Sequence, residues 1–157
     1  MMQSHGKRLV FLETAASHRG PCMPGDVRFK KILVIDDEPC IADTLAIILS
    51  TQSYDVQVAY SAEKAIEVLA EWPPDLAIVD VMLPQMNGID LAIVIRANYP
   101  ACSILLFSGQ PDTSALLEEA WRKGHKFEIL AKPLHPTFIL DAVTRLLSSE
   151  QERPADA

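Results

Sequence analysis

The sequence predicts a doubly wound α/β fold, a parallel sheet with helices on both of its faces. Two observations predict it. Short β-branched-rich runs (Ile32-Leu33-Val34-Ile35, Leu76-Ala77-Ile78-Val79, Ile104-Leu105-Leu106-Phe107 and Ile129-Leu130-Ala131) recur between stretches of helical period. Such runs read as fully buried strands of a parallel sheet. Each also stops on a polar residue: Asp36-Asp37, Asp80, Ser108 and Lys132. An open parallel sheet carries its ligand site beyond the carboxyl ends of its strands, so these four terminators are expected to converge.

The elements follow in order. A first strand is expected over 31–35 and a helix over 40–50, opened by Pro39, whose missing N–H is harmless in a first turn. On that helix Ile41, Leu45, Ile48 and Leu49 share one face and form the core stripe. A short strand over 55–59 precedes a helix over 62–71, capped by Ser61 and ended by Pro73-Pro74. Strand three is expected over 75–79, and the loop 80–88 closes with Asn87-Gly88 ahead of a helix over 89–98. Strand four covers 103–107. The next helix starts after Pro111-Asp112 and ends before Gly124, a left-handed C-cap position with Arg122 and Lys123 in the last turn. Strand five covers 127–131, and the last helix runs from Pro136 to Leu147. Five β–α units of this kind give helices on both faces.

Residues 1–28 lack periodicity and are expected to form a poorly ordered leader, with Met23 an alternative start. Residues 29–148 are the folded domain and 149–157 a polar tail. No output domain is expected after the last helix. At 157 residues the chain has the length of one domain and can bury a core without disulfides. Its net charge of −7 argues against a nucleic-acid or anionic-membrane surface. Cys22, Cys40 and Cys102 are odd in number and share no metal spacing, which suits a reducing cytoplasm. The apolar run Leu9–Leu12 is cut by Glu13, too short for an export signal.

Three carboxylates at the sheet's edge repel one another. At an effective dielectric near 20, a pair about 4–5 Å apart costs roughly 3–4 kcal/mol. Asp36, Asp37 and Asp80 are therefore stable together only with a cation or with one pKa raised. A few carboxylates with open positions suit Mg²⁺. Lys132 and Ser108 would fit the oxygens of a phosphoryl group beside the metal. A carboxylate so placed can attack phosphorus. Taken singly, an Asp at a strand end is most often a cap or turn residue, Ser108 a loop serine and Lys132 a solvated lysine. Their joint placement at four of five strand ends reverses those odds.

Ile-Asp-Asp-Glu-Pro at 35–39, Asp-Val-Met-Leu-Pro-Gln-Met-Asn-Gly at 80–88, Phe-Ser-Gly at 107–109 and Ala-Lys-Pro at 131–133 resemble the receiver domain of two-component response regulators. The resemblance spans about residues 30–148. It implies a flavodoxin-like three-layer sandwich with strand order 2-1-3-4-5. It also implies that Asp80 is the phosphoacceptor. Asp36, Asp37, Asp80 and the backbone carbonyl of Met82 would hold Mg²⁺, for which Mn²⁺ could substitute. Lys132 and Ser108 would bind the phosphoryl group, Pro133 would follow a cis peptide bond, and Gly109 and Gln110 would flank the site. The expected partners are a histidine kinase or histidine phosphotransfer protein and a downstream protein, in a bacterial cytoplasm, with no nucleic acid, no membrane and no enzymatic turnover.

One position departs from the family pattern. Receivers usually carry Tyr or Phe three residues before the lysine, where this chain has Ile129; Phe127, two residues earlier, points the same way on a strand. A receiver-like scaffold without phosphorylation is the first alternative. An aspartyl phosphatase is disfavoured because Val81-Met82 follow Asp80 where that class shows Asp-x-Asp, and nucleotide hydrolysis lacks its Gly-rich loop. Elsewhere bland readings are preferred: His125 and His135 as surface residues, Cys40 as inert, Trp121 with Leu116, Leu117 and Ala120 as a packing stripe, and Ile47 as part of a wide buried face.

Overall fold

The computed structural model describes residues 28–109, 113–132 and 135–149. The elements alternate as β1 (Lys31–Ile35), α1 (Pro39–Ser50), β2 (Asp55–Ala59), α2 (Ala62–Glu71), β3 (Leu76–Asp80), α3 (Gly88–Asn98), β4 (Ser103–Ser108), α4 (Thr113–Arg122), β5 (Glu128–Ala131) and α5 (Pro136–Ser149). The five parallel strands lie in the order β2-β1-β3-β4-β5, the expected doubly wound, flavodoxin-like arrangement.

Alternation along the strands divides the core in two. Ile32 and Val34 face α1 and α5, packing with Leu45, Leu49, Ile139 and Val143. Leu33 and Ile35 face α2, α3 and α4, packing with Leu69, Leu91 and Ile95. The reversal of strand order between β1 and β3 leaves a crevice at their carboxyl ends, where Asp36 and Asp80 stand.

Several boundaries differ from expectation by one residue, and two of these matter. Asp80 and Ser108 are the last residues of β3 and β4 rather than loop residues, because the ladder pairs Asp80 with Phe107 and Ser108 with Ala131. Asp75, expected to begin strand three, instead anchors the opposite end: its Oδ2 accepts from Lys31 N at 2.8 Å. The fourth apolar run is not fully buried. β5 is an edge strand whose residues Glu128–Leu130 are only half-buried. Phe127 and Ile129 do share a face, both packed against the α2–α4 side of the core.

Two bland readings fail. Trp121 is 61% exposed and Ile47 66% exposed, so neither completes a packing stripe. Ala120 fills the α4 contact instead, and Ala42 joins Leu45 and Leu49 in closing α1 onto the sheet. Ser61 caps α2 as expected, accepting from Lys64 N at 3.1 Å, and Gly124 takes a left-handed φ of 91° beyond α4. The leader and all but the first residue of the tail lie outside the described residues, as do Gln110 and Pro133.

Candidate functional site

Four of the expected site residues meet at the carboxyl end of the sheet. Asp36 follows β1 and is fully buried. Its backbone N donates to Ala59 O at 3.1 Å, and its Oδ1 accepts from Glu38 N at 2.9 Å, closing the turn into α1. That turn holds Asp37 outward, where it is exposed at the rim. Asp80, 3% exposed, projects from β3, and its Oδ1 accepts from Met82 N at 3.1 Å. Asp36, Asp37 and Asp80 each offer a carboxylate oxygen, and the three oxygens lie within 4.8 Å of one another.

Lys132 enters from β5. Its Nζ donates to Asp36 Oδ2 at 3.3 Å and lies 3.4 Å from Asp80 Oδ2. The ammonium also stands 4.6 Å from the centre of the Phe107 ring, a cation–aromatic contact that holds the stem over β4. Ser108 is buried beside it, and Lys132 N donates to Ser108 O at 2.8 Å, which fixes the lysine's register. Gly109 is exposed. A side chain there would meet only the Lys132 stem at 3.6 Å, so this glycine leaves open space rather than relieving a clash. Met82 is half-exposed at the mouth.

Sequence reasoning underestimated Gly88. A Cβ at this position would lie 2.0 Å from Asp80 O and 2.7 Å from Asp80 C. Gly88 N donates to Val81 O at 2.7 Å, so α3 starts directly against the end of β3. The Asn87-Gly88 pair marked a loop end; nothing in its pattern announced the close approach.

Burial is the largest influence on Asp80. It raises the carboxyl from 3.8 to about 6; the neighbouring Asp36 adds to the rise, while Met82 N–H and Lys132 oppose it. A raised pKa means that the folded protein binds more protons than the unfolded chain between about pH 4 and pH 6. Its stability contribution is therefore complete below about pH 4 and lost as pH rises through about 6. We expect this group alone to lower stability by roughly 2 kcal/mol across that window. Urea melts of the protein and of Asp80→Asn, which lacks the titration, check it: the difference between the two should grow with pH.

Three hard oxygen donors with open positions suit Mg²⁺, which retains waters and accepts phosphate oxygens. Three carboxylates and a partly buried ammonium thus meet in one crevice. The chain belongs to the response regulator receiver domain family, whose model matches residues 32–144. It is 30% identical over 131 residues to the DNA-binding response regulator MtrA of Mycolicibacterium smegmatis, a match covering 83% of this chain and 56% of that protein. The response regulator GtcR of Aneurinibacillus migulanus is 32% identical over 117 residues, covering 74% of this chain and 46% of the relative. The chain thus spans about half the length of the curated relatives it matches. The signal receiver domain of an HD domain-containing protein from Pseudomonas fluorescens Pf-5 superposes with a TM-score of 0.75 at 31% identity, over 80% of this chain and 100% of that one. A CheY-like receiver domain protein from Methanospirillum hungatei JF-1 shares the fold, with a TM-score of 0.74 at 23% identity, over 80% of this chain and 98% of its own.

Proposed function

We propose that the domain accepts a phosphoryl group on Asp80 from a histidine kinase or a histidine phosphotransfer protein, in a Mg²⁺-dependent step. The observation that supports this most is the meeting of Asp80 with Asp36, Asp37 and Lys132 at one crevice. Asp36, Asp37, Asp80 and the Met82 carbonyl would hold the ion. When bound, Mg²⁺ would supply positive charge to the transferring oxygens.

The chain's own residues account for the rest. Met82 N–H fixes the Asp80 carboxylate through Oδ1. A carboxylate oxygen attacks phosphorus as the bond from phosphorus to the donor breaks, forming an acyl phosphate. The Lys132 ammonium faces Asp80 Oδ2 and counters charge on the transferring oxygens. Ser108, beside Lys132 at the end of β4, would meet the phosphoryl group on arrival. A carboxyl that titrates near 6 is mostly ionised above pH 7, as a nucleophile requires. Output is through protein contacts rather than catalytic turnover or nucleic-acid binding by this domain, in keeping with its net charge of −7. Among the described residues no helix is long and apolar enough to cross a membrane, and a cytoplasmic setting fits the proposed donors.

Intact-mass analysis after incubation with acetyl phosphate tests the reading. Wild type should gain one phosphoryl adduct only with Mg²⁺ or Mn²⁺, and Asp80→Asn none. Equal incorporation by both proteins would remove Asp80 as the nucleophile. No incorporation by wild type, from either acetyl phosphate or a phosphotransfer donor, would favour the scaffold.

Coupling beyond the site is expected to run through the segment from Ser108 into α4. Ile129 is aliphatic and half-buried against the core, with little to gain from changing rotamer when Ser108 moves. Hydrogen exchange with and without beryllofluoride should change more from Ser108 into α4 than in β5. Equal change in β5 would show the strand to be part of the route.

A further inference from the structure

The two elements that flank the Asp36–Asp37 turn are tied together by a hydrogen bond outside the acidic cluster. Tyr60 OH donates to Asp43 Oδ1 at 2.6 Å, joining the β2–α2 junction to the second turn of α1. Strand register places Tyr60 beside this turn: Ile35 pairs with Ala59, and Asp36 N donates to Ala59 O at 3.1 Å. Tyr60 occupies the single position between the end of β2 and Ser61, the cap of α2, so its backbone is held on both sides.

The start of α1 is weakly fastened by comparison. Its cap residue Glu38 makes no side-chain cap hydrogen bond, and Pro39 follows at once. Asp36 Oδ1 is the side-chain acceptor that closes this turn, through Glu38 N. Asp37 is exposed between the buried Asp36 and the first turn of α1, and leads through Glu38 directly into that helix. Apolar contacts of Leu45 and Leu49 fix α1 from beneath. The phenol–carboxylate bond fixes it from outside.

We infer that Tyr60 and Asp43 form a positioning bridge that holds the Asp37 carboxylate at its distance from Asp36 and Asp80, and so raises the affinity of the acidic site for a divalent cation. An exposed hydrogen bond of this kind contributes little to global stability, because both groups exchange readily with water. Ligand orientation is more sensitive: groups that only orient metal ligands commonly govern metal affinity by tenfold or more. The Asp43 bond, and after it burial, push the phenol up to about 12, so Tyr60 keeps the proton it donates throughout the neutral range. Neither Tyr60 nor Asp43 contacts the ion in this scheme; each acts through Asp37.

The inference rests on the metal-dependent reading above, and the experiment separates the two. The urea unfolding midpoint is measured against Mg²⁺ concentration for wild type, Tyr60→Phe, Asp43→Asn and the double variant, which yields an apparent Kd for each fold. No Mg²⁺-dependent shift in wild type would overturn the metal reading itself, and this inference with it. Given a wild-type shift, Tyr60→Phe, which alters no charge and keeps the ring, should weaken Mg²⁺ binding by roughly three- to tenfold while leaving the metal-free midpoint unchanged. Asp43→Asn keeps an acceptor for the phenol and should stay much closer to wild type. The double variant should match Tyr60→Phe, because one bond is lost either way. Binding by Tyr60→Phe within about twofold of wild type would overturn the bridge. So would a loss confined to Asp43→Asn, which would assign the effect to the charge of Asp43 rather than to the bond.

Discussion

Gly88→Ala is expected to destabilise the domain by about 3 kcal/mol or more, the largest effect among the described glycines. The added carbon would lie 2.0 Å from Asp80 O, 2.7 Å from Asp80 C and 2.8 Å from Val81 Cα. All three are backbone atoms at the end of a fully buried strand, so none can swing aside as a side chain would. Relief requires α3 to lift from β3. Gly88 N would then leave Val81 O, and the loop carrying Met82 N against Asp80 would shift with it. The variant should therefore lose the proposed phosphoacceptance along with stability. Two other glycines supply the contrast. Gly109→Ala meets only the Lys132 stem at ordinary contact distance and should be nearly neutral for stability. Gly124→Ala meets nothing within 4 Å but must hold a φ of 91°, which costs about 1 kcal/mol. Urea unfolding of the three variants checks the order; Gly88→Ala within about 1 kcal/mol of wild type would refute the close-approach argument.

That glycine also shows where the sequence stopped being informative. The strands were legible because four apolar runs are short, β-branched and abruptly ended, and a parallel sheet buries such runs on both faces. The terminators then located the site, since the carboxyl ends of adjacent strands must lie together. Burial at the edge was less legible. Ile129-Leu130-Ala131 reads like the central runs, yet β5 has a neighbour on one side only and stays half-buried. Surface apolar residues were misread for a related reason. Trp121 and Ile47 lie close to a core stripe in helical period, and only the angle at which each helix meets the sheet turns them outward. Contacts between distant segments left no local trace at all. The Tyr60–Asp43 bond and the ring of Phe107 beneath Lys132 each join residues whose sequence neighbourhoods give no sign of one another.

Lys132→Met is expected to cost about 3 kcal/mol of stability at pH 8 in the absence of divalent metal, and much less at pH 5. The ammonium is the cation that faces both buried carboxylates, at 3.3 Å from Asp36 Oδ2 and 3.4 Å from Asp80 Oδ2. Removing it leaves two buried acids side by side. Lys132 opposes the rise of the Asp80 pKa, so without it that carboxyl should titrate above its present value of about 6. The sign of the pH effect follows. At pH 5 Asp80 is mostly protonated in both proteins, and the variant loses little. As pH rises through 6 and beyond, Asp80 in the variant must either hold a proton that the unfolded chain would release or ionise without a counter-charge, and its deficit grows. Mg²⁺ should restore part of the deficit, because the ion would replace the missing positive charge. Methionine is the useful replacement, since its unbranched stem keeps packing on Phe107 while the charge is gone. Urea melts at the two pH values, with and without Mg²⁺, measure the effect. A loss of equal size at both would mean that Lys132 acts through its stem, and the electrostatic account of the site would fail with it.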